Sequence, residues 1–111
     1  VVWNAVSFNV VWLESSMPSI GVLTLELNLP DSHSLKDKRH TVRSLKDRLR
    51  GKFNVAVAEI AFQETWQRAL ISAVTVSSDH GHAERVLQSV EREAASLLGG
   101  ALVDSTMEWL E

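Results

Sequence analysis

Residues 20–51 read IGVLTLELNLPDSHSLKDKRHTVRSLKDRLRG and carry two hydrophobic periods in succession. The first ten alternate, so that Leu23, Leu25 and Leu27 share one face of a strand whose other face is largely polar. Pro30 then ends the strand, and the Asp31-Ser32-His33 segment is typical of a turn. This pattern predicts a half-buried strand over residues 20–29 that leads directly into a helix.

The second period is helical and has a clear beginning. Ser34 is a suitable N-cap, and Asp37 follows three residues later in the manner of a capping box. We predict a helix from Leu35 to Arg50, with Gly51 as its stop. Lys38 falls inside the apolar arc, and we expect its ammonium to reach solvent along the aliphatic stem. The apolar side of this helix consists of Leu35, Val42, Leu45 and Leu49.

The remainder of the chain supplies two strands, a helix and a last strand. Ser78 or Asp79 should cap the second helix, and Gly99-Gly100 should end it. The predicted elements are a strand at Phe53–Ile60, a strand at Trp66–Ser77, a helix at roughly His82–Leu98 and a strand at Ala101–Leu110. The order βαββαβ predicts an α+β, ferredoxin-like sandwich, in which a four-stranded antiparallel sheet carries two helices on one face.

The length of 111 residues suits one small domain with a single core. Residues 1–16 contain Trp3, Phe8 and Trp12 but no Lys or Arg. We expect them to be an N-terminal extension outside the native fold, with residues 17–111 as the single domain and Met17 as the start. The alternative is an additional strand, because Val and Trp favour strands. No apolar run reaches the roughly 18 residues of a membrane helix.

The charge distribution is strongly asymmetric. Eight of the eleven Lys and Arg residues lie between Leu35 and Lys52, and with two Asp they give that segment +6 in a chain of net charge −3. Such a concentrated cationic element is typical of a protein that binds an anionic polymer. The predicted RNA-binding residues are Lys36, Lys38, Arg39, Arg43, Lys46, Arg48 and Arg50. Five of them form one stripe within about 80° of the helix surface: Lys36, Arg39, Arg43, Lys46 and Arg50.

Two alternatives to RNA binding remain open. The stripe could be a solvated helix face that keeps the chain in solution. The open sheet face could instead bind a second copy or another protein. Its expected residues from the first and last strands are Thr24, Glu26, Asn28, Asp104, Thr106 and Glu108. They are not aromatic and several are acidic, so bases would not stack there and RNA would have to bind the first helix.

Catalytic and metal chemistry have little support in the sequence. The chain lacks Cys, which excludes thiolate metal sites and a Cys nucleophile and fits a reducing cytoplasm. His80 and His82 could ligate a metal, but no third ligand is marked, and exposed His at a helix start is the simpler interpretation. The charges around the second hairpin, Glu59, Glu64 and Arg68, match an ordinary hairpin surface. We expect Trp66 and Trp109 to anchor the core or its rim. We therefore predict a non-enzymatic protein without cofactor or DNA specificity.

Several motifs resemble the bacterial YlxP-like family. They are Gly21-Val22-Leu23, Ser34-Leu35-Lys36-x-Lys38-Arg39, Arg43-Ser44-Leu45-Lys46-x-Arg48-Leu49 and Trp66-Gln67-Arg68-Ala69. The resemblance covers about residues 19 to 110 and implies a ferredoxin-like fold. It implies no catalytic residues, because the family is of unknown function. Its genes often lie beside those for translation initiation factor two and ribosome-binding factor A, which implies a cytoplasmic role in ribosome assembly or translation.

Overall fold

The computed structural model describes residues 17–110, which form one sheet and two long helices. The predicted N-terminal extension, residues 1–16, lies outside the described residues, as does Glu111. The elements in chain order are β1 (Ser19–Asn28), α1 (Leu35–Lys52), β2 (Ala56–Ala61), β3 (Arg68–Ser77), α2 (His80–Leu98), a 3₁₀ turn (Gly99–Ala101) and β4 (Leu102–Leu110).

The strands lie in the order β2-β3-β1-β4, and every neighbouring pair is antiparallel. This order follows from the two crossovers, because each helix connects two parallel strands that have a third strand between them. The arrangement confirms the predicted α+β ferredoxin-like sandwich. It places β2 and β4 at the edges of the sheet.

The core lies between the sheet and the helices. Leu23, Leu25 and Leu27 are fully buried on the helix-facing side of β1, as their alternation predicts. Helix α1 contributes Leu45 and Leu49 to the same cluster. Further members come from β3 and α2: Ile71, Ala73, Leu87, Val90 and Ala94. Each buried Leu or Ile side chain contributes about 1.5–3 kcal/mol of burial free energy, so this layer orients α1 firmly.

The predicted boundaries need local corrections. Helix α1 continues through Gly51 to Lys52, because the N–H of Phe53 bonds to the Leu49 carbonyl and no left-handed glycine is required. The first helix does begin as predicted: Ser34 Oγ accepts from the Asp37 N–H, and the Asp37 carboxylate accepts from the N–H of His33. A turn over residues 53–55 delays β2 to Ala56.

The second half of the chain shows similar shifts. Strand β3 starts at Arg68 instead of Trp66. Helix α2 starts at His80, because Asp79 is the N-cap and accepts from the His82 N–H. Gly99 ends α2 with a positive φ of 55°, as the Gly-Gly pair predicts, and the 3₁₀ turn then moves the start of β4 to Leu102.

The face of the sheet away from the helices is less acidic than the first and last strands alone suggested. Strand pairing places Val74 beside Val22, and Leu70 beside Glu26. Ala56 of β2 extends the apolar region beyond Val74. The acids Asp104 and Glu108 remain on the β4 side. This face therefore combines an apolar group around Val74 with acids on the β4 side.

Candidate nucleic-acid interface

Packing of α1 directs its cationic stripe toward the β2 edge of the sheet. Because its apolar arc faces the sheet, the stripe flanks the buried side. Lys36, Arg39, Arg43 and Arg50 are exposed, and Lys46 is half-buried. A groove of about 350 Å³ runs between the helix and β2. Its lining consists of Arg39, Val42, Arg43, Lys46, Asp47, Arg50 and Glu59.

Four cations of the stripe lack an internal counter-charge. Within residues 17–110, Lys36, Arg39, Arg43 and Lys46 form no ion pair. They succeed one another at spacings of three and four residues and extend over about 15 Å of helix. Each neighbouring pair of like charges at such a spacing destabilises a helix by about 0.2–0.5 kcal/mol. An anionic ligand along the groove would remove this repulsion.

Three other cations of α1 are paired within the protein. Arg50 contacts the Asp47 carboxylate at 2.8 Å. Arg48 and Lys52 lie on the opposite flank of α1 and bind the Glu93 carboxylate of α2 at 2.8 and 2.6 Å. The hydrogen bonds from Lys52 and then Arg48 hold the pKa of the Glu93 carboxyl below its usual value. These three charges therefore serve the protein's own packing and helix surface.

The expectation that Lys38 reaches solvent is wrong. Its side chain is fully buried, and its ammonium lies 2.9 Å from the Glu59 carboxylate. The ammonium also donates to the carbonyl oxygens of Phe62 at 2.6 Å, Gln63 at 3.2 Å and Arg68 at 3.3 Å. A buried ammonium is stable where several acceptors surround it. Lys38 therefore fastens the β2–β3 connection to α1 and cannot contact RNA in this fold.

The β2–β3 loop, residues 62–67, lies beside the N-terminal end of α1. The Gln67 carbonyl accepts from the Leu29 N–H at 2.9 Å. Its side-chain amide donates to the carbonyl oxygens of Pro30 and Ser32. Trp66 was expected at the core or its rim, but it lies on this loop with 51% of the residue exposed, and among residues 17–110 it is not one of the side chains packed against the core. Trp109 does pack against the core, with its ring centroid 4.0 Å from that of His80.

Two of the three charged groups named around the hairpin, Glu59 and Arg68, have structural partners. Glu59 is paired with Lys38, and Arg68 is paired with Glu26 at 3.0 Å. Acid–base catalysis on this hairpin would need a free carboxylate, and the ion pairs of Glu59 and Arg68 leave these two groups already engaged. Across residues 17–110, no three His, Asp or Glu side chains are grouped to hold a metal ion. None of the helices in that range is long and apolar enough to cross a membrane.

Known proteins resemble the chain in sequence, and one solved structure resembles it in fold. The model of a family described as "Protein of unknown function (DUF503)" matches residues 20–107. The "Uncharacterized protein YlxP" of Bacillus subtilis (strain 168) is 39% identical over 71 residues, which are 64% of this chain and 77% of that protein. Among solved structures, the de novo designed protein Foldit4 superimposes with a TM-score of 0.56 at 13% identity. The match covers 85% of this chain and 97% of the designed one, and shows a shared fold alone.

Proposed function

The chain belongs to the DUF503 family of proteins of unknown function, and we propose that it is a non-enzymatic accessory protein that binds RNA, in the context of the ribosome, through α1. The observation that carries the proposal is the row of four α1 cations that form no ion pair among residues 17–110, three of which, Arg39, Arg43 and Lys46, line the α1–β2 groove. A solvated face selected for stability alone would interleave acids with these cations. Here the two acids that line the groove, Asp47 and Glu59, are already engaged by Arg50 and Lys38.

The four cations suit the RNA backbone. Lys36, Arg39, Arg43 and Lys46 would neutralise successive phosphates, and the two Arg can form forked contacts with phosphate oxygens. Arg48 and Arg50 would contribute less to RNA binding, because phosphate would have to compete with their ion-pair partners, Glu93 and Asp47. Contacts of this kind position the nucleic acid without selecting a base sequence. The acidic remainder of the chain would orient the protein so that α1 faces the RNA.

The ribosome is the anionic partner that we propose, and the cytoplasm is the proposed location. Support comes from the resemblance to the YlxP-like family, whose gene neighbourhood implies ribosome assembly or translation. Ribosomal RNA offers dense phosphate to a sequence-independent cationic stripe. The open sheet face is the less suitable surface for RNA, because Asp104 and Glu108 would repel phosphate there, and this supports binding through α1.

Sedimentation of cell lysate through a sucrose gradient tests the proposal. The wild-type protein should migrate with a ribosomal subunit, whereas Arg39→Glu/Arg43→Glu should remain at the top of the gradient. The matched control is Arg85→Glu/Arg92→Glu, which changes the net charge equally on two exposed α2 residues. Wild-type protein that stays at the top, or a control that dissociates to the same extent, would overturn the proposal.

A second candidate function is a protein-interaction module, dimeric through the open sheet face. The apolar group around Val74 favours it, since Val74 lies between Val22 and Ala56 and is partly open to solvent. This candidate predicts a dimer by light scattering that survives Arg39→Glu/Arg43→Glu. Val74→Glu should dissociate it, and a monomeric wild-type protein over the micromolar range would exclude a stable dimer.

A further inference from the structure

The residues on both sides of Trp66 in the chain are held by hydrogen bonds, although about half of Trp66 is exposed. On the N-terminal side, Lys38 binds the carbonyls of Phe62 and Gln63, and the Thr65 N–H bonds to the Phe62 carbonyl at 2.9 Å. On the C-terminal side, Gln67 is tied to the β1–α1 turn through backbone and side chain. The backbone that presents Trp66 is therefore fixed before any ligand binds.

The exposure of Trp66 is unusual for its residue type. Indole is the largest side chain, and a small domain ordinarily uses it to cover its core. In this hairpin the other aromatic ring, Phe62, is covered on one side by the Arg68 guanidinium at 4.0 Å. Trp66 belongs to no such pair among residues 17–110 and lines a shallow surface hollow with Glu64, Thr65 and Gln67.

The position of Trp66 relates it to the cationic stripe. The acceptors of the Gln67 amide, the carbonyls of Pro30 and Ser32, belong to the turn that leads into α1. Lys38, which holds the other side of the loop, lies two residues beyond Lys36 and one before Arg39. The backbone that carries Trp66 is thus anchored beside the start of α1, where the stripe begins. A polymer whose phosphates follow the stripe toward the start of α1 would reach it.

We propose that Trp66 stacks on an unpaired base, and that the ligand of this surface is single-stranded RNA in preference to a duplex. The inference rests on the function proposed above and specifies its substrate class. In a duplex the base faces are covered by their neighbours, so an indole has no access to them. In a single strand every base offers a face, and stacking on an aromatic ring adds affinity without requiring a particular sequence.

Fluorescence anisotropy with a labelled oligouridine of about 12 nucleotides, a length within the usual range of single-strand sites, tests this assignment. Trp66→Ala should weaken binding roughly 5- to 100-fold, and Trp66→Phe should retain most of the affinity because it keeps a stacking face. Val76→Ala is the control, since Val76 is an equally exposed apolar residue at the opposite end of β3. A blunt RNA duplex of similar length should bind more weakly and respond little to Trp66→Ala.

The outcomes separate the two proposals. If Trp66→Ala binds oligouridine like wild type while Arg39→Glu/Arg43→Glu does not, stacking is wrong and the cationic interface stands. Equal loss from Trp66→Ala on the duplex would also overturn stacking. If Arg39→Glu/Arg43→Glu binds like wild type, the cationic interface itself is wrong. The Trp66 variants should have the same thermal midpoint as wild type, because an exposed side chain contributes little to folding. A loss of affinity then reflects a lost contact with RNA and not a loss of the folded state.

Discussion

The ammonium of Lys38 lies 2.9 Å from the carboxylate of Glu59, and Lys38 is fully buried. This ion pair joins the first turn of α1 to edge strand β2, across 21 residues of chain. The same ammonium holds three carbonyl groups at the start and end of the β2–β3 loop. The pair therefore fixes both walls of the groove and the loop that carries Trp66.

Lys38→Met should destabilise the protein by about 3 kcal/mol or more, because it leaves the Glu59 carboxylate and three carbonyl oxygens without their donor. Glu59→Gln should cost less, since the ammonium keeps its carbonyl acceptors. Urea unfolding measures both. The matched control is Lys36→Met, which removes an exposed and unpaired charge and should lie within about 0.5 kcal/mol of wild type. Equal effects at the two lysines would contradict a structural role for Lys38.

The lowered pKa of Glu93 should make the free energy of unfolding depend on pH. Lys52 and Arg48 lower the pKa of its carboxyl in the folded state, so the unfolded chain takes up the proton first as the pH falls. The resulting stabilisation is complete above the usual pKa of the carboxyl and disappears as the pH falls through the lowered value. Glu93→Gln should therefore lose less stability than wild type between about pH 7 and about pH 3. Urea unfolding over that range measures the difference, and parallel curves would contradict it.

Gly21 permits a close contact between β1 and its neighbours. A Cβ placed there would lie 2.6 Å from Leu87 Cδ1 and 2.8 Å from Trp109 Cζ3. Since both neighbours belong to the packed layer between sheet and helices, Gly21→Ala should cost about 1–3 kcal/mol from overpacking. Thermal unfolding followed by Trp fluorescence measures the loss, and wild-type stability in this variant would show that Trp109 can move aside.

Gly51 should respond in the opposite direction. It lies within α1, has no positive φ, and a Cβ there would have nothing within 4 Å. Gly51→Ala should stabilise the protein by about 0.5–1 kcal/mol, because alanine loses less backbone entropy in a helix. The urea midpoint of this variant should rise. A falling midpoint would indicate that α1 ends before Gly51, as the sequence alone suggested.

The fold could be predicted because its signals are local. The alternation around Leu23, Leu25 and Leu27 and the Ser34 cap lie within a few residues of the structures that they specify. The errors at Gly51 and Ala56 have one cause. Glycine is permitted inside a helix, and the bond from the Phe53 N–H to the Leu49 carbonyl continues α1 past Gly51. The turn and the start of β2 therefore come later than a single Gly predicts.

Which cations of α1 are exposed and which are paired within the protein could be predicted only in part. Helical phase correctly placed Lys36, Arg39 and Arg43 on one exposed stripe. The partners of Lys38 come from residues 59 to 68 and the partner of Arg48 is Glu93, so no local pattern could identify them. One signal did exist for Lys38, since it lies within the apolar arc of the helix. Exposure of Trp66 carried no such signal, because it follows from how the loop is anchored.

Salt dependence of RNA binding tests the central claim most directly. If Lys36, Arg39, Arg43 and Lys46 neutralise four phosphates of a single strand, log affinity should fall with log salt at a slope of roughly −3. Arg39→Glu/Arg43→Glu should reduce the magnitude of that slope by at least about 1, and Arg85→Glu/Arg92→Glu should leave it unchanged. A slope near zero for the wild type, or equal changes in the two double variants, would contradict RNA binding through α1.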